Sequence, residues 1–148
     1  MALNMAPIRT STLPFLAMPN PKDLVIFTQS YDLLSWLLPQ CERFPKSQRF
    51  VVTQRLLDSA LDFQEAIFEA NARGGAHRLQ HLQAADAQLN KLRLYLPLSS
   101  QWNWLSSGQY EHASRMVAGI GKLLGGWIKQ TRAADVACRG RTGGPEVG

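Results

Sequence analysis

Leu79, Leu82, Ala85, Leu89, Leu92 and Leu96 recur at steps of three and four, which places all six on one side of a helix. The same spacing gathers Phe50, Leu57, Ala60, Leu61, Ile67 and Phe68 upstream, with Asp58, Asp62, Glu65 and Glu69 on the opposite side as a solvated acidic stripe. Punctuation sets the limits. Asn20-Pro21 joins a capping asparagine to a proline at the first helical position, opening a helix that runs to about Phe44 with a kink at Pro39. Pro45 breaks it, Ser47 caps the second helix, and Gly74-Gly75 ends that one near Ala72. A third helix covers about Ala76 to Leu96 and stops at Pro97. The loop LSSQWNWLSSG follows, and a fourth helix spans about Gln109 to Arg132. No segment alternates with the period of a strand. The pattern predicts an all-α, antiparallel four-helix bundle over residues 21–132, with a flexible leader (1–20) and a flexible tail (133–148).

Helices one and four carry more than a core stripe. In helix one, Leu24, Phe27, Tyr31, Leu34 and Leu38 form the expected core line, while Ile26, Leu33 and Leu37, with Trp36 beside them, form a second apolar line nearly opposite. A lone bundle has no second core for that line, so either a partner copy or the leader covers it, and self-association is the preferred reading. In helix four the core face is Ala113, Val117, Ile120, Leu124 and Trp127. Gly121 and Gly125 lie on one shoulder of it, Gly119 and Gly126 on the other, although each glycine costs about 1 kcal/mol in a helix interior relative to alanine. They fit close approach by a neighbour on each side, one in the same bundle and one in an adjoining subunit. Arg115, Lys122 and Lys129, seven residues apart, lie opposite the core as a basic ridge, with Arg132 nearby.

Composition changes this picture only in its charge. At 148 residues, with 45% hydrophobic and 18% charged residues, the chain supports one globular domain. Its net charge is +5, which favours acidic partners. Helices one and two hold six basic residues against seven acids. Helices three and four hold seven, including Arg78, Lys91 and Arg93, against only Asp86 and Glu111. The excess is concentrated on one half of the bundle, where it forms either a polyanion-binding surface or a solvated face. Asp86 and Arg93, at the edge of an apolar face, are each expected to pair with another helix.

Catalytic patterns are scarce. His77 and His81 are four apart, a chelating spacing, but no third ligand is clearly placed, and a solvated pair is preferred to a metal-dependent helical enzyme. Cys41 and Cys138 fit neither a metal nor a disulfide pattern. GIGKLL lacks the phosphate-loop spacing. No catalytic residue, metal or cofactor is expected. The apolar stretch LPFLAM is too short for a signal peptide, and no run approaches the ~20 apolar residues of a membrane span. A cytoplasmic protein without a membrane partner is expected. Trp102 and Trp104 either stack on bases or anchor their loop, and anchoring is preferred.

The stretches SWLLPQCERFPKSQRF, AADAQLNKLRLYL and GKLLGGWIK, in that order, resemble the accessory variability determinant (Avd) family of diversity-generating retroelements. That family lies within the four-helix-bundle proteins of ribosomal RNA intervening sequences, and the resemblance runs from about Tyr31 to Lys129. It implies a barrel-like homopentamer that binds RNA and DNA through a basic surface, partners a reverse transcriptase and is itself non-catalytic. Mutagenic, template-directed cDNA synthesis would be the shared task. Carried over residue by residue, the resemblance implicates Arg93, Lys122 and Lys129, to which geometry adds Lys91, Arg115 and Arg132. The expected oligomer interface is Ile26, Leu33, Trp36, Leu37, Gly121 and Gly125. A bundle of the intervening-sequence type without a polymerase partner is the alternative.

Overall fold

The computed structural model describes residues 21–142, with side chains from 25 to 140. The leader lies outside the described residues. Four helices make up the fold: α1 (Pro21–Glu42), α2 (Gln54–Asn71), α3 (Gly75–Gln101) and α4 (Ser107–Thr142). No strand occurs among the described residues. Between α1 and α2 the chain makes a 3₁₀ turn (Lys46–Gln48) and a π-helical turn (Arg49–Thr53). Helix α1 packs on α2 and α4, α2 on α3, and α3 on α4, which closes the bundle. Pairings at its two ends give the helix directions. Phe27, early in α1, meets Phe68 late in α2 at 5.3 Å and Trp127 late in α4 at 6.1 Å. At the other end Gln109 Nε2 donates to Gln40 Oε1 at 3.0 Å. Neighbouring helices therefore run antiparallel.

The predicted core faces of α3 and α4 are the observed ones except at Leu79, which is half-buried, with Leu82, Ala85, Leu89, Leu92 and Leu96 in one core with Ala113, Val117, Ile120, Leu124 and Trp127. On helix one the surplus line turns inward, and on helix two only part of the expected face is buried. Ile26, Leu33 and Leu37, expected at an interface between copies, are buried inside the protomer, continued by Ser30 and Cys41. Leu38, expected in the core, is 43% exposed. Ile26 and Phe27 are adjacent and so only about 100° apart around the helix. The two lines are thus flanks of one broad apolar arc, and Phe27 is buried along with the Ile26 flank. Helix α2 buries Leu56, Ala60, Phe63, Ile67 and Ala70, whereas Phe50 is 80% and Leu61 40% exposed. The acidic stripe is exposed as expected.

Helix boundaries also differ from the reading by punctuation. Helix α3 does not stop at Pro97. Leu96 and Ser99 are both buried, and Ser99 Oγ donates to Tyr95 O at 2.7 Å. The helix closes instead at Asn103, which takes a left-handed φ of 58°. Trp104 N then donates to Ser99 O at 2.9 Å and Asn103 N to Ser100 O at 3.0 Å, a Schellman closure. Two residues later a capping box starts α4: Gln109 N donates to Ser106 Oγ, and Ser106 N donates to Gln109 Oε1. At its other end α4 continues past Arg132 to Thr142, so residues 133–142, expected as flexible tail, are helical. The turn between α2 and α3 uses Gly75 at φ +58°. There Arg78 Nε donates to Ala70 O at 3.0 Å, capping the end of α2, and its guanidinium lies 6.0 Å from the Trp127 ring.

Candidate nucleic-acid interface

Lys91, Arg93, Arg115, Lys122, Lys129 and Arg132 are all exposed. The fold does not gather them into one patch. Lys91 and Arg93 are two residues apart, hence on nearly opposite sides of α3. Lys91 borders a recess of about 300 Å³ between α2 and α3 that also holds Arg55, Asp58 and Asp62. It therefore sits beside the acidic stripe. Arg93 faces α4 and shares a cleft with Lys122. Arg115 forms an exposed ion pair with Glu111 at 3.2 Å, which leaves its charge locally balanced. Lys129 stands one heptad beyond Lys122, about 10 Å along the axis, and Arg132 follows on the same helix.

The cleft joining Arg93 and Lys122 has a volume of about 480 Å³. Leu96 and Pro97 line it from α3, and Tyr110, Ser114, Val117, Ala118 and Gly121 line it from α4. Arg93 Nη1 donates to Asn90 Oδ1 at 2.8 Å, a bond within its own helix. Asp86 forms no ion pair among the described residues, so the expected pairing of these two charges with other helices is not found. What brings Arg93 across to α4 is Gly121. A Cβ there would stand 2.5 Å from Arg93 Nη2 and 3.6 Å from Leu89 Cδ2. Gly119 sits in the same way against Gln29 of α1, with a Cβ at 3.2 Å from Oε1. Each shoulder thus receives a neighbour of the same chain at one glycine, where one shoulder had been expected to face another subunit. Gly125 and Gly126 are exposed and have open space around them.

Trp36, also expected at the interface, is half-buried with its ring 5.1 Å from that of His112. The exposed apolar surface lies elsewhere. Leu38, Phe50 and Leu61 line a groove of about 660 Å³ between α1 and the start of α2, together with half-buried Leu57 and the buried Cys41, Phe44 and Thr53. Both flanks of this groove were legible as apolar lines, but they read as core. Trp104 packs on Phe44 at 5.7 Å and anchors its loop, while Trp102 stacks on Trp104 and is 64% exposed. No group of three or more His, Cys, Asp or Glu comes together among the described residues, and His77 and His81 gain no third ligand there. No described helix is long and apolar enough to cross a membrane.

Comparison with known proteins agrees with this architecture. The chain is similar to a Bacteroides thetaiotaomicron protein of unknown function from the S23 ribosomal protein family. The structures superpose with a TM-score of 0.67 at 24% identity, covering 73% of this chain and 98% of the other. That likeness is one of fold. A comparison with curated proteins finds no match. The family model described as bAvd-like matches residues 24–131, from the first turn of α1 to Thr131, the last buried position of α4 among the described side chains. The chain belongs to the bAvd-like family.

Proposed function

We propose that this protein is a non-catalytic accessory subunit of a diversity-generating retroelement. It binds RNA and DNA through the α3–α4 side of the bundle and holds the reverse transcriptase during mutagenic, template-directed cDNA synthesis. Family membership over residues 24–131 carries the reading. The exposed cations Arg93, Lys122, Lys129 and Arg132 on adjacent helices support it, with Arg115 and Lys91 contributing less because carboxylates neighbour them. In this reading the protein works as a cytoplasmic homopentamer, and repetition of a modest basic surface around the ring supplies the avidity that one copy lacks. The copies meet through the Leu38–Phe50–Leu61 groove, since Ile26, Leu33 and Leu37, the apolar line expected there, are inside the protomer.

Binding of this kind is phosphate-directed, so it weakens steeply with salt. Lys122→Glu combined with Lys129→Glu should lower RNA affinity and flatten its salt dependence by roughly one to two in log–log slope, with the helical circular dichroism unchanged. A salt titration identical to the parent's would remove the ridge from the interface. Co-purification with the reverse transcriptase encoded beside it tests the partnership. Failure to co-purify, with RNA binding retained, would point to a bundle that acts without a polymerase.

A further inference from the structure

Phosphate contact needs only exposed cations, and Lys129 and Arg132 provide those without any recess. Arg93 and Lys122 are placed differently, on the lining of a cleft whose other surface is largely apolar. Leu96 and Pro97 from α3 and Val117 from α4 offer nothing to a phosphate, while Tyr110 presents an aromatic ring as well as a hydroxyl, and Ser114 adds a second hydroxyl. The apolar side chains and the ring suit the face of a nucleobase. The volume of about 480 Å³ falls within the ~300–1,000 Å³ of small-ligand sites. No carboxylate lines the cleft, in contrast to the recess around Lys91. Gly121 leaves the space that the Arg93 guanidinium occupies against α4.

We infer that this cleft receives one unstacked base of a single-stranded nucleic acid, packed against Tyr110 and Pro97, while Arg93 and Lys122 hold the flanking phosphates. The inference rests on the nucleic-acid reading above and narrows it to a strand type. A duplex keeps its bases paired and stacked, so it can touch the cations but cannot fill the cleft. A single strand can do both, and because every base has a π-face, such a site has little sequence preference.

The test is fluorescence anisotropy on the full chain with two labelled probes, a short unstructured RNA strand and an RNA duplex with the same number of phosphates. Tyr110→Ala should lower single-strand affinity about tenfold, as expected for one lost stacking contact, and duplex affinity less than about twofold. Gly121→Ala provides an independent arm. Alanine is the better helix former, so thermal stability should hold or rise, while the new Cβ displaces Arg93 and single-strand affinity falls several-fold. Gly121→Ala moves a cation that a duplex also touches, so if Tyr110→Ala compromises folding, Tyr110→Leu, which keeps the bulk and loses the aromatic face, is read on the same two probes and the tyrosine variant decides. Equal losses on both probes, or none on either, with the parent binding both, would overturn the cleft and leave the broader reading standing. A parent protein that binds neither probe would overturn both.

Discussion

Cys41 closes one end of the line of α1 residues that faces the core, and its burial has a chemical consequence. The thiol is pushed from its ordinary value of 9.0 up to about 12 because the thiolate would lose its hydration. Between those two values the unfolded chain holds fewer protons than the folded one. The stabilisation from keeping the thiol neutral is therefore complete below pH 9 and declines as the pH rises toward 12. At pH 8 iodoacetamide should modify the exposed Cys138 readily and reach Cys41 only after denaturant is added, as mass spectrometry of the alkylated protein would show. Rapid double modification under native conditions would mean that the α1–α2 end of the bundle opens. The sequence marks Cys41 as neither buried nor exposed, because its role depends on which flank of the α1 arc turns inward. Single-residue roles were legible where the signal is local. The Pro21 helix start is such a case, whereas the Ser106–Gln109 capping box and the left-handed Asn103 closure are local signals that a reading by proline and glycine passes over.

At the scale of elements, α3 and α4 were readable because each has a single apolar face, and an unambiguous face fixes the phase of a helix. Helices α1 and α2 each have two apolar flanks, and periodicity alone does not say which one meets the rest of the bundle. The π-helical turn over Arg49–Thr53 adds to the difficulty by leading irregularly into α2, leaving Phe50 outside the core. Pro97 illustrates the other kind of error. Tertiary packing of Leu96, Ser99 and Leu105 outweighs the local cost of a proline, so α3 runs four residues beyond it, to Gln101. The extension of α4 is of a different character. Its 36 residues correspond to about 54 Å, against about 40 Å for the 27 residues of α3, so the two helices are not matched in length. Between residues 132 and 140 only Asp135 is less than exposed, so the extension buries little. Ending the chain at Arg132 should change the free energy of unfolding by less than about 1 kcal/mol, measured by urea denaturation. A larger loss would show that this segment contributes to the core or to an assembled form.

For the whole molecule, the exchange of roles between the two α1 lines separates folding from assembly in a way that can be measured. Surplus apolar surface was expected on helix one from the sequence, and it exists, but on the flank that carries Leu38 and faces Phe50, Leu57 and Leu61. The net positive charge lies on α3 and α4, so a ring built through the α1–α2 groove would leave those helices available to nucleic acid. Leu37 has no exposed surface, and Leu37→Ala should destabilise the protomer by about 2–5 kcal/mol, seen as a lower urea midpoint. Phe50→Glu with Leu61→Glu alters one side chain that is largely in water and one that is partly so, and should leave the stability within about 1 kcal/mol of the parent's. The same pair places two charges in the proposed contact and should convert a pentamer to monomers, measured by light scattering at low and high salt. With the ring gone, RNA affinity should fall although every basic side chain is still present, because the ridges are no longer repeated in one particle. Should the Phe50→Glu, Leu61→Glu protein retain the parent's mass, the assembly surface lies outside this groove. Should the parent itself be monomeric at both salts, the repeated basic ring is removed from the proposed function, and any nucleic-acid affinity must then come from one cleft and one short ridge.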